Sequence, residues 1–300
     1  MMNNEYIAKI FEGGYSGNPL NEILLLASII SPAVDSVLIR DMDKDLSSFF
    51  SGTHPFFKKN TLKYHDLRHS KMVVLATIRL FHGLYCNNIP INNDTLTKGL
   101  LSAYFHDTGM LLQEGDDAQS GAEYMANHEQ RSVYFLEQYG MLKNLDRKIL
   151  EDCAAIIQYT DLSVDPATFC YHSEEVVLAG RVVGTADILA QMADRYYLEA
   201  LPVLYREIKR GGTGNFASAL DLMQHTMNFY HNIALKRLQV TFGGTAKSMQ
   251  VHFRERYSIN RNLYTEYIDK NIKYLSKILR YCEADAGCIE QYLRRKPPTI

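Results

Sequence analysis

The chain has 300 residues, 46% of them hydrophobic, which excludes a disordered polypeptide and allows a sizeable core. A formal net charge of -2 and a pI near 6.6 leave no global basic field, so no nucleic-acid or membrane partner is expected and small molecules are the default ligands. Five cysteines, Cys86, Cys153, Cys170, Cys282 and Cys288, are odd in number and form no C-x-x-C pair, which predicts a reduced, cytoplasmic setting.

The apolar stretch 23–30 is far short of the roughly 20 residues that span a bilayer. Met1-Met2-Asn3-Asn4-Glu5 carries no basic n-region, so a soluble, unexported protein is expected. Helical periodicity then runs along most of the chain and predicts an all-α fold. Over 62–85, Leu67, Val74, Ile78 and Phe81 recur as one buried stripe, and Gly83 with the 87–90 segment is expected to end that helix. Asp94 and Thr95 offer N-cap side chains for the next helix, which His106-Asp107 terminates near Gly109.

Gly115-Asp116-Asp117 reads as a loop, and further helices are predicted over about 122–139, 146–159 and 174–209, with Asp165-Pro166 breaking the last two apart. The glycine runs at 211–214 and 243–244 lack the strand-turn-helix context and Lys-Ser/Thr pair of a phosphate loop, so they read as connections. Terminal helices are predicted over roughly 217–240 and 260–285. The organisation expected is an N-terminal extension over 1–60, a core over 61–210 and C-terminal helices over 211–300, together one compact unit. The Tyr-rich terminal helices would either pair two subunits into a homodimer or fold back on the core.

The chemistry-bearing residues are scattered. His65 and His69 are four apart, which puts both imidazoles on one face if the segment is helical; a polar patch at the start of a surface helix has the same spacing. His106-Asp107 sits inside an apolar run. An unpaired carboxylate buried there costs several kcal/mol, so Asp107 calls for a cation, either a metal or a distant arginine. Asp187 repeats the pattern, with Gly184 and Ala186 small enough to admit another helix, or else it bridges to Arg195. With Asn127-His128-Glu129, these residues supply the imidazole and carboxylate donors that suit Zn, Mn, Mg, Fe or Ni, as one ion or two.

The order His, His-Asp, Asp on separate helices resembles the HD superfamily of metal-dependent phosphohydrolases, and several stretches are similar to its cyclic nucleotide phosphodiesterase branch. Tyr64-His65-Asp66-x-x-His69 resembles that branch's Tyr-His-Asn-x-x-His; Asn127-His128-Glu129 its Asn-His-His; Thr160-Asp161-Leu162-Ser163 its Thr-Asp-Met-Ser; and Ala186-Asp187 its Ala-Asp. The likeness covers 64–207. It implies an HD-like helical bundle with His69, His106, Asp107 and Asp187 as metal ligands and Asp107 able to bridge two ions. It further implies that His65 donates a proton to the leaving alkoxide, that His128 orients solvent or phosphate, and that Glu129 holds a neighbouring histidine.

Two departures stand out. Met110 occupies the place of a further histidine, and none of Gln191, Gln224 and Gln250 is marked out by its flanks as the purine-holding glutamine. The function expected is hydrolysis of a phosphoester of a nucleotide-like small molecule, 3',5'-cyclic phosphodiesters included: a metal lowers the pKa of bound water to about 7 and a histidine protonates the leaving group. The alternatives are a nucleotide phosphomonoesterase, an HD-type di-iron oxygenase and a non-catalytic ligand-binding or signalling module. His54, His82, His172, His225, His231 and His252 are expected at the surface or core edge. The acidic residues Glu114, Asp116, Asp117 and Glu123 are expected at a solvated surface, and Arg294-Arg295-Lys296 as a frayed tail.

Overall fold

Short polar side chains that accept hydrogen bonds from the free N–H groups of a first helical turn set most of the helix starts in this chain. The structure, a computed structural model, describes residues 4–169, 173–283, 285–293 and 295. In order, the helices are α1 (Asn4–Gly13), α2 (Pro19–Ile30), α3 (Ser36–Ser51), α4 (Leu67–Cys86), α5 (Asn93–Phe105), α6 (His128–Leu142), α7 (Arg147–Ile157), α8 (Glu174–Ala193), α9 (Tyr197–Gly211), α10 (Ala219–Phe229), α11 (Ser248–Tyr257), α12 (Leu263–Tyr281) and α13 (Ala286–Tyr292). Among the described residues there is no strand, only an isolated bridge between Phe57 and Gln113, so the chain is all-α.

Two helices form the centre. In α4 the whole run from Val73 to Gly83 is buried, and α8 is buried on nearly every face from Ala179 to Ala193. A helix apolar all round must be enclosed, and α4 is enclosed by α2, α5, α8 and α11, while α8 packs on α4, α5, α7 and α12. By length and composition alone α8 would qualify to cross a membrane, a feature the sequence reading overlooked; here 72% of its apolar window is buried against those helices. The main apolar cluster runs from Ile10 to Ile289, so the segments before 61 and after 210 share one core with the central helices. The Tyr-rich α12 folds back on α8.

Several predicted boundaries move, each for a local reason. The 62–85 helix begins only at Leu67, because the Asp66 carboxylate caps it by accepting the His69 N–H at 2.8 Å. Gly83 does not end that helix: a Cβ there would collide with the Ser248 carbonyl of α11, so the glycine serves a close helix crossing. Asn92 rather than Asp94 or Thr95 caps α5. The 122–139 segment divides into a 3₁₀ turn at Gly121–Asn127 and α6, and the 217–240 segment leaves α-geometry after Phe229 for π turns.

The 174–209 segment is two helices. Asp194 accepts the Tyr196 N–H at 2.8 Å, and Asn271 of α12 donates to the Met192 and Asp194 carbonyls at 2.9 Å each, so a tertiary contact satisfies the broken helix end. The break turns α9 back across the molecule.

The cysteine expectation also needs correction. Cys282 and Cys288 form a disulfide across the α12–α13 turn, which brings their Cα atoms to 5.5 Å, within disulfide reach. Cys86 and Cys153 are free thiols, and Cys170 lies outside the described residues. His82 and His252 are deeply buried rather than at the surface or core edge, their Nδ1 atoms 3.3 Å apart between α4 and α11. His172, Arg294 and Lys296 lie outside the described residues, and the Arg295 guanidinium donates to the Arg195 carbonyl at 2.6 Å.

Candidate metal centre

His69 is in the first turn of α4, His106 and Asp107 form the turn that ends α5, His128 opens α6, and Asp187 is on α8. These elements converge. His69 Nε2 is 3.3 Å from both Asp107 Oδ2 and Asp187 Oδ1, and His106 Nε2 is 3.2 Å from Asp107 Oδ2 and 3.8 Å from Asp187 Oδ1. His69, His106 and Asp107 each offer a ligand atom within 4.8 Å of the others. Donors held about 2.1 Å from one tetrahedral ion stand roughly 3.4 Å apart, close to the spacings within this group of three; Asp187 stands outside the group but within 3.3 Å of His69 Nε2.

Hydrogen bonding fixes the ring orientations. His106 Nδ1 lies 2.8 Å from the Ala103 carbonyl, which only accepts, so Nδ1 carries the proton and Nε2 is left toward the carboxylates. His106 Nε2 and Asp107 Oδ2 are both buried without an aligned hydrogen-bond partner despite their proximity. Two buried acceptors with no donor facing them call for a cation or a bound water. Among the described residues no Lys or Arg pairs with Asp107 or Asp187, and the arginine considered for Asp187, Arg195, stacks on Tyr196 instead.

Electrostatics points the same way. Burial opposes charge on His69, but Asp107 and Asp187 outweigh it and push the imidazole up to about 10. His106 moves in the same direction, burial again being overcome by Asp107. Asp107, against its own burial, is held well below the usual carboxylate range by His106 and His69. The pocket is thus an anionic cage that collects positive charge, as protons or as a metal cation.

The remaining predicted residues surround it. His128 Nε2 is 3.6 Å from Asp107 Oδ1, while His128 Nδ1 donates to the Met125 carbonyl at 2.8 Å and lies 3.3 Å from Glu129 Oε2. His65 does not share a helix face with His69, because it precedes the Asp66 cap; both imidazoles nevertheless line one cavity of about 370 Å³. His128, Glu129, Asp187 and the 160–163 stretch line it too. Gly109 lets this happen: a Cβ there would strike the His128 carbonyl and stand 2.8 Å from Arg131 Cβ, so only glycine permits the turn after Asp107 to touch α6. The Ser132 hydroxyl ties the same contact, donating to the His106 carbonyl at 2.6 Å and accepting the Gly109 N–H at 2.8 Å.

Glu207 was missed in the sequence. Its Oε2 is 2.8 Å from His65 Nδ1 and its Oε1 accepts the Lys63 and Tyr64 N–H groups at 2.9 Å each. Burial works against its charge, but these hydrogen bonds hold the carboxyl below its ordinary range. The signal was an acid on the apolar side of α9, three residues after Leu204 and beside Ile208, both of which line the cavity. Met110, at the place of a further histidine, instead packs with Leu62 and Ala122. Asp116 pairs with Arg131 and Glu123 with Arg210.

Compared with models of known protein families and with curated proteins, the chain matches none.

Proposed function

We propose that this chain is a metal-dependent phosphohydrolase of the HD type that cleaves a phosphoester of a nucleotide-like small molecule, phosphodiesters, cyclic ones included, ahead of monoesters. The observation that carries the reading is the pair of orphaned buried atoms, His106 Nε2 and Asp107 Oδ2, facing the His69 imidazole and the Asp187 carboxylate. Two imidazoles and two carboxylates suit a borderline divalent cation, held by His69, His106, Asp107 and Asp187. Such a cation supplies Lewis-acid stabilisation of phosphate charge and a water nucleophile at neutral pH.

The chain's own groups account for the rest. Glu207 holds the His65 Nδ1–H and so directs Nε2 away from itself, and His65 is one of the groups lining the cavity. An imidazole in that position gives a proton to a leaving alkoxide, a strong base that departs slowly unprotonated. His128 has its Nδ1 proton committed to Met125, so Nε2 is available to accept from water or a phosphate hydroxyl beside Asp107. The cavity volume falls in the range that encloses a small ligand.

Di-iron oxygen chemistry needs more imidazoles around Asp107 than His69, His106 and His128 supply, so the hydrolytic reading is favoured over it. The deciding experiment is metal analysis of purified protein with a panel of cyclic nucleotides, nucleoside mono- and triphosphates and bis(p-nitrophenyl) phosphate. Stoichiometric metal with diester hydrolysis is expected. Metal with no turnover on any member would favour a ligand-binding module, and oxygen consumption by an iron-loaded protein the oxygenase.

A further inference from the structure

A second cavity, of about 360 Å³, lies between α3, α6 and the 54–57 loop and shares no lining residue with the cavity at the metal centre. Its inner wall is aromatic. Phe49, Phe57, Phe135 and Tyr139 are all buried, with Phe49 and Phe57 centroids 4.8 Å apart and Phe57 and Phe135 edge-on at 5.2 Å. Phe56 and Leu142 stand at the mouth with 57% and 70% of their surface open to solvent, an unusual outlay of apolar area for a lone surface pocket.

The charged groups at the rim are already matched. Lys143 Nζ lies 2.9 Å from Asp41 and 3.0 Å from Asp45, and the Tyr139 hydroxyl donates to Asp45 at 3.1 Å. His54 Nδ1 accepts the Phe56 N–H at 3.4 Å, and burial holds that imidazole below its ordinary value, hence neutral. A charged guest would lose water here without gaining a counter-ion. The groups left to direct a guest are the carboxamides of Gln113 and Gln138, each both donor and acceptor, and His54 Nε2.

We propose that this cavity is a second ligand site, separate from the metal centre, that takes one neutral planar heteroaromatic ring. Ring walls set at steep angles hold a further ring in offset or edge contact, and the glutamines read the donors and acceptors on its edge. The two sites share one helix, α6. Phe135 and Tyr139 line it, His128 begins the same helix, and Arg131 between them donates to the Gly109 and Leu111 carbonyls at 2.9 and 3.1 Å.

The chain contains no tryptophan, so indole reports its own binding by a blue shift of its emission without background. Saturable binding in the millimolar range or tighter is expected, displaced by adenine and at least about tenfold more weakly by benzoate or benzylamine. Gln138→Phe and Leu142→Tyr, which place a ring in the mouth at exposed positions, should each weaken indole at least about tenfold with the thermal transition unchanged. Asp107→Ala should bind indole as wild type does. No saturable emission change, equal affinity in both mouth variants, equal competition by the charged rings, or loss of binding in Asp107→Ala would each overturn the proposal. Should a variant fail to fold, amide shifts of the unaltered protein decide: movement at Phe57 and Gln138 supports the site, and movement confined to 160–163 overturns it.

Discussion

The Nδ1 atom of His65 lies 2.8 Å from Oε2 of Glu207, although 142 residues separate the two in the chain. The carboxylate also gathers two backbone N–H groups, so it is fixed before it fixes the imidazole. Glu207→Gln should therefore lower kcat by about 10–100-fold, as loss of an orienting outer partner typically does, with metal content and KM unchanged. The basic limb of the pH–rate profile should shift as well. A variant with wild-type kcat and profile would remove Glu207 from any positioning role.

His65 and Asp107 should separate chemistry from metal binding. His65→Ala is expected to keep the metal and lose roughly 10²–10⁴-fold in turnover, the usual share of a general acid. Asp107→Ala should lose metal and hydrolysis together. Metal analysis beside single-substrate kinetics checks both, and unchanged turnover in His65→Ala would sink the proton-donor assignment.

Gly109 is a steric hinge point of the centre. Gly109→Ala places a methyl against the His128 carbonyl and near Arg131 Cβ, and backbone cannot yield as a flexible side chain can. Stability should fall by about 1–3 kcal/mol in urea unfolding, the usual cost of overpacking, with weaker metal affinity because α6 is pushed from Asp107. A variant as stable as the parent would mean that this contact relaxes freely.

The metal-free centre should be sensitive to alkali. The folded His69 imidazole titrates at about 10, above its unfolded value near 6.5, so its ion pairs with Asp107 and Asp187 stabilise fully below pH 6.5. That stability is lost as the pH rises toward 10. A cation must displace the same proton, so metal affinity should climb over this window with proton release, measurable by calorimetry in two buffers of different ionisation enthalpy. Binding near pH 7.5 without proton release would contradict it.

The His82–His252 pair should confer the opposite sensitivity, toward acid. Burial and then Arg256 lower His82; burial and then Arg79 lower His252 well below its ordinary value. A histidine depressed in the folded state contributes stability above pH 6.5 that disappears as the pH falls below it. The thermal transition should drop on acidification, and less steeply in a His82→Gln/His252→Gln double variant; equal slopes would exclude the pair as the cause.

The all-α class was readable in the chain because it rests on local rules, whereas the set His69, His106, Asp107 and Asp187 was what the motif resemblance implied. Helical periodicity announced α4, α5 and α8, and a carboxylate in an apolar run, as at Asp107, announced a need for positive charge whatever the fold. Gly109 and Ser132 carried no such mark: their importance comes from the approach of the His106-Asp107 turn to α6, which no spacing along one helix encodes.

Sequence by itself determined that the chain is all-α, which residues are apolar and which bear charge, since caps and periodicity act over a few residues. Tertiary structure alone decided that 174–209 breaks at Asp194, where Asn271 satisfies the freed carbonyls, and that α9 returns to lay Glu207 against His65. It also decided that Cys282 meets Cys288 and that His82 faces His252. The physical reason is the same in each case: a contact between distant segments depends on the packing of whole helices around α4 and α8, a sum over many side chains that no short window of residues contains.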